Sequence, residues 1–133
     1  MFGMNRQRTY QAGGNINPAV FLKVNTTRGQ VVQAGAGDIA PFISARGSKD
    51  AQIQATSSTL VAVANDPVLP YTNGMTTLLT AGSGGFSPGD KLKPDASGFG
   101  ITTVTANDQF SAIAIDSAAS GEMGEVLIIN GKV

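Results

Sequence analysis

Few side chains in this chain are equipped for chemistry, and those few are poorly spaced for it. The 133 residues contain no His and no Cys. The usual general base near neutral pH, the commonest metal ligand and the thiolate nucleophile are therefore all missing. A Ser or Thr nucleophile would need Lys or a carboxylate as its base. The pair Ser48-Lys49 has the wrong spacing for a Ser-x-x-Lys site. Paired carboxylates can do acid–base work, and Asp90, Asp95, Asp108 and Asp116 are the candidates. Asp90 and Asp95 flank glycine-rich turns, where Asp commonly bonds to its own backbone.

The segment Gly82-Ser83-Gly84-Gly85-Phe86-Ser87-Pro88-Gly89-Asp90-Lys91 tests for a phosphate loop. Gly84 and Gly89 have the right separation, but Asp90 stands at the Lys position and Lys91 at the Ser/Thr position. A carboxylate there repels phosphate. The dinucleotide fingerprint fails as well, because Ser87 occupies the place of its third glycine. A flexible surface loop is the expectation. Asp95-Ala96-Ser97-Gly98 lacks the alternating oxygen ligands of a calcium loop. Asn25-Thr26-Thr27 fits a glycosylation acceptor, but reads better as a hairpin turn. Arg6 and Arg8 beside Tyr10 are too few charges for useful counterion release on nucleic acid. The expectations are no enzyme activity, no cofactor and no metal.

Composition points the same way. Charged residues make up 14%, and nine basic residues balance nine acidic ones. A nucleic-acid binder usually carries a clear basic excess, so no direct nucleic-acid contact is expected. A weakly charged, near-neutral surface tends to associate, which suits a protein that ends in an interface. Charge is uneven along the chain: residues 1–66 hold six basic and three acidic groups, and residues 67–133 hold three and six. MFGMNRQRTY has no apolar core of a secretory signal, and no stretch approaches the roughly 20 apolar residues of a membrane span. Synthesis in the cytoplasm and no membrane contact are expected.

The elements that would carry any site are short strands. Val20 to Val24 is one, Thr26-Thr27-Arg28-Gly29 a turn, and Val31 to Ala34 the return strand of a hairpin. Gly35-Ala36-Gly37-Asp38 is a second turn. Ile39 to Ala45 is a third strand, with Pro41 marking an edge or bulge. Residues 47–58 are polar and fit a loop or a helical turn. Thr59 to Val63 is β-like and is broken at Asn65-Asp66-Pro67. Asn73-Gly74 signals a tight turn before a strand at Met75 to Leu79. Lys91 to Lys93, Ile101 to Thr105, Phe110 to Ile115 and Glu125 to Ile129 complete the set. The apolar run of the last predicts burial on both faces. Turn signals at this frequency predict an all-β protein, a compact β-barrel or β-sandwich of short strands. Residues 1–17 show no period and read as an extended N-terminal arm, with residues 18–133 as a single β-rich domain. A faint repeat is also visible. Leu22 to Gly29 resembles Leu92 to Gly98 at a spacing of about 70, and each leads into a β-branched segment and then an apolar strand.

From Pro18 onward the pattern resembles the capsid decoration, or cement, proteins of tailed bacteriophages. The resemblance rests on Val20 to Val24 running into Gly29 to Gly35, and on Gly89-Asp90-Lys91-Leu92-Lys93 before the Asp95-Ala96-Ser97-Gly98 turn. It extends to Ala118 to Glu122 before the final apolar Val126 to Ile129. These motifs are turn chemistry of moderate specificity. The long arm and the 47–58 segment depart from the pattern. The resemblance implies a homotrimer on the outer surface of an expanded capsid, bound to major capsid protein and clamping neighbouring capsomers against DNA pressure. The arm residues Phe2, Met4, Arg6, Arg8 and Tyr10 are the expected capsid contacts. A receptor- or glycan-binding module, of head-fibre or adhesin type, is the alternative, and its surface cluster would draw on Tyr71, Asn73 and Phe86. A hydrolase using Asp90 and Asp116 is a third reading.

Overall fold

The computed structural model describes residues 9–45 and 60–133. The described residues are all-β and fall into two five-stranded sheets. The first sheet holds β1 (Tyr10–Ala12), β2 (Phe21–Val24), β3 (Gln30–Gln33), β4 (Phe42–Ile43) and β5 (Pro67–Val68), in the order β4-β2-β3-β1-β5. The second holds β6 (Thr76–Thr80), β7 (Lys91–Pro94), β8 (Gly100–Thr102), β9 (Gln109–Ala114) and β10 (Met123–Lys132), in the order β6-β10-β9-β7-β8. A parallel bridge between Ala81 and Gly100 joins the end of β6 to β8, so the second sheet curls back on itself. In the first sheet an Ile43–Tyr71 bridge ties β4 to the chain just past β5.

Local chemistry accounts for the hairpins. β2 and β3 pair antiparallel through Leu22–Gln33 and Val24–Val31, and Gly29 supplies the positive φ of their turn. β7 and β8 repeat this arrangement around Asp95 to Gly98. There the Asp95 carboxylate accepts from the Ser97 and Phe99 amides at 2.8 and 3.0 Å, the expected Asx turn.

Successive residues of a strand face opposite ways, and β2 uses both faces. Leu22 enters a core made with Ala12, Ile16, Val20, Val31, Ala62 and Val68, inside the first sheet. Phe21 enters the second, larger core, which holds Leu79, Phe86, Leu92, Val126 and Ile128. Phe21 therefore welds the two sheets together.

Several expectations need correction. Tyr10 to Ala12 is not the inner part of a free arm. It is β1, hydrogen-bonded between β3 and β5, and Ala12 and Ile16 are fully buried. The parallel β1–β3 pairing is made across distant parts of the chain, so no local pattern could signal it. The expected third strand shrinks to the two residues of β4. Leu60 to Val63 forms no strand and contributes one bridge, Ala62 to Ile16. Instead, Pro67 opens β5, a position where a missing N–H is tolerated. β10 is not buried on both faces: Val126 and Ile128 point inward, while Ile129 is exposed. Nor is the Gly82–Asp90 segment a loose loop. Phe86 is buried and bridges Ala118, and a side chain at Gly85 (φ +65°) would strike the Ala118 carbonyl. The 47–58 segment lies outside the described residues.

Candidate functional site

Of the five expected capsid-contact residues, only Tyr10 is described; Phe2, Met4, Arg6 and Arg8 lie outside the described residues. Tyr10 pairs with Val68 across β1 and β5. Its ring lies 5.2 Å from that of Phe42, tilted by 49°, a favourable aromatic geometry. Tyr10 thus fastens the start of β1 to the body of the protein. Thr9, just upstream, is exposed.

Three of the four carboxylates proposed from sequence, those of Asp90, Asp95 and Asp108, do structural work. Asp90 accepts from the Ser87 amide at 2.8 Å and from the Thr102 hydroxyl at 3.2 Å. Asp95 caps its own turn. Asp108 accepts from Lys93 Nζ at 2.8 Å and from the Thr103 hydroxyl at 2.7 Å. The Asp116 amide donates to the Glu125 carbonyl at the β9–β10 connection. Sequence reasoning missed a second pair of the same kind. Asp38 accepts from Lys23 Nζ at 2.9 Å and from the Gly35 amide at 2.7 Å. Its signal was present, because Lys23 and Lys93, and Asp38 and Asp108, each lie 70 residues apart.

The two ion pairs border one shallow groove of about 280 Å³, lined by Gly37, Asp38, Ile39, Lys93, Asn107 and Asp108. The Lys23 hydrogen bond, followed by that of the Gly35 amide, holds the Asp38 carboxyl below the usual carboxylate range. The Lys93 and Thr103 hydrogen bonds do the same for Asp108. A general acid needs its pKa raised toward the working pH. Both carboxyls are pushed the other way, and each is held at a turn by its partners. Among the described residues no cluster of three or more acidic groups could hold a metal ion.

The surface cluster considered for glycan binding does not assemble. Phe86 is a core residue and Tyr71 is half-buried against the same core, which leaves Asn73 exposed in its turn.

No protein-family profile matches the chain, and no curated protein sequence does. Among solved structures the chain is similar to the head fiber gp8.5 N base of bacteriophage phi29. The TM-score is 0.60 at 16% identity, and the match covers 96% of each chain. At that identity the likeness establishes a shared fold, extending over nearly the whole of both chains.

Proposed function

We propose that the chain is a structural virion protein of a phage head. It sits on the outside of the expanded capsid and cements neighbouring capsomers against the pressure of packaged DNA. The observation that carries this reading is the likeness to a phage head fiber base over 96% of both chains. The fate of three of the carboxylates agrees with it, since those of Asp90, Asp95 and Asp108 each brace a turn or an ion pair. In this reading the partner is the major capsid protein, and the working form is a homotrimer. Three linked copies convert weak contacts into firm attachment, because the second and third contacts form at high effective concentration. Residues 1–8, with Phe2, Met4, Arg6 and Arg8, make the capsid contact, and Tyr10 anchors them to β1.

The test is co-sedimentation of the purified protein with phage heads. Binding to expanded heads and not to precursor shells is the expected result; no binding to either refutes the reading. The head fiber likeness also favours a second reading, a fibre base whose task is to present a receptor- or glycan-binding part. Specific hits on a glycan array would select it.

A further inference from the structure

The two sheets are not merely similar in size. We infer that the chain is a tandem duplication: one five-stranded unit present twice, with a 14-residue addition in the first copy that neither copy needs in order to fold.

The recurrence is residue by residue. β2 pairs β4 through Phe21–Ile43 and Leu22–Phe42, and β7 pairs β9 through Lys91–Ile113 and Leu92–Ala112. Every residue of the second set lies 70 beyond its counterpart. The parallel contact Gln11–Gln30 recurs at the same offset as the parallel bridge Ala81–Gly100. The ion pair Lys23–Asp38 recurs as Lys93–Asp108. The Ser44 amide donates to the Val20 carbonyl, and the Ala114 amide to the Asp90 carbonyl, both at 2.9 Å. Left-handed backbone recurs too, at Ala19 and Gly89 and again at Gly37 and Asn107. Ala19 is telling, because a residue with a Cβ rarely takes a positive φ unless the surrounding fold requires it.

Past β4 and β9 the correspondence continues at a smaller offset. The Ile16–Ala62 bridge recurs as Phe86–Ala118, and Ile43–Tyr71 as the Ile113–Leu127 pair. The Val63 amide donates to the Asp66 carboxylate at 3.1 Å, and the Ala119 amide to that of Glu122 at 3.0 Å. Positive φ at Asn65 recurs at Gly121. These second partners lie 56 residues apart, so the first copy carries 70 − 56 = 14 residues more.

That difference falls in one place. Seventeen residues separate Ser44 from Ala62, whereas three separate Ala114 from Ala118. The second copy therefore demonstrates that three residues bridge this gap. Removing residues 46–59 leaves Ala45, Leu60 and Val61 to do what Ile115, Asp116 and Ser117 do. The twin Lys–Asp pairs are accordingly latches of a repeated unit, and the groove between them is a junction of two equivalent turns.

The experiment is a thermal melt of the full chain lacking residues 46–59, beside the parent. The expected result is one cooperative transition within about 5 °C of the parent, because closure entropy changes only slowly with the number of residues between two fixed ends. A milder deletion of residues 48–57 serves as the second variant. If the longer deletion fails to fold while the milder one melts like the parent, the linker is strained and the equivalence stands. If neither variant keeps a cooperative transition within that range, the duplication is overturned. This test is independent of head binding, so its failure leaves the proposed function untouched.

Discussion

Truncation of the N-terminus separates the role of residues 1–8 from that of β1. Removing residues 1–15 deletes the whole strand. Among the described residues at least four backbone hydrogen bonds go with it: Gln11 to Gly29, Gly13 to Val31, Ala12 to Asp66, and Asn65 to Ala12. At about 1 kcal/mol net each, these amount to roughly 4 kcal/mol. The buried Ala12 methyl adds about 0.8 kcal/mol and the Tyr10–Phe42 ring contact about 1 kcal/mol. A loss of about 6 kcal/mol is comparable to the whole stability of many domains, about 5–15 kcal/mol. The variant lacking residues 1–15 is therefore expected to lose cooperative unfolding in urea, or to keep only a small part of the parent's midpoint. Truncation at residue 8 cuts upstream of β1 and keeps all four bonds. With the described β1 contacts kept, it should unfold within about 1 kcal/mol of the parent. The assay is urea denaturation followed by circular dichroism. Each folded variant is then mixed with expanded heads and sedimented. A folded truncation at residue 8 that no longer sediments with heads assigns the contact to residues 1–8. A variant lacking residues 1–15 that unfolds cooperatively at the parent's midpoint would refute the placement of β1 and the energy assigned to it.

Three further outcomes are expected. Phe21→Ala empties the position that joins the two sheets and should cost about 3–5 kcal/mol in urea denaturation. Val104→Ala, at a site 83% exposed, should stay within about 0.5 kcal/mol and serves as the control. Gly85→Ala must hold a positive φ and displace the Ala118 carbonyl, so a cost of about 2–4 kcal/mol is expected in the same assay. The ion pairs set an acid dependence. The carboxyls of Asp38 and Asp108 have folded pKa values below their ordinary value of 3.8, so acid favours the unfolded chain, which binds the proton more readily. Their contribution is complete above about pH 4 and falls away as pH drops through the lower folded values. The Asp38→Asn, Asp108→Asn double variant should flatten the stability–pH curve below about pH 4 and leave its slope near neutrality unchanged. Both pairs are partly solvent-exposed, so added salt should shrink the effect.

Much of this protein was legible in its residues alone. The absence of His and Cys follows from the sequence outright, as does the poverty of catalytic spacings. The hairpins β2–β3 and β7–β8 were legible because a β-branched run and a glycine turn are neighbours in the chain, and local sterics decide them. The 70-residue repeat was visible through the same turn residues. What the residues could not reveal was everything set by distant partners. β1 is three residues long and becomes a strand only because β3 and β5 lie on either side of it. Phe86 sits in a glycine-rich segment that reads as loose, yet Ala118 and Gly124 close over it. Asp38 and Asp108 looked like candidates for turns or acid–base work until tertiary contact brought Lys23 and Lys93 to within 3 Å. The sequence by itself determined the turns, the hairpin strands and the absence of His and Cys, because those depend on residue type and near neighbours. Only the tertiary structure decided which strands pair, which face of β10 is buried and that Tyr10–Ala12 is a strand, because these depend on burial and on hydrogen bonds closed across more than fifty residues in places.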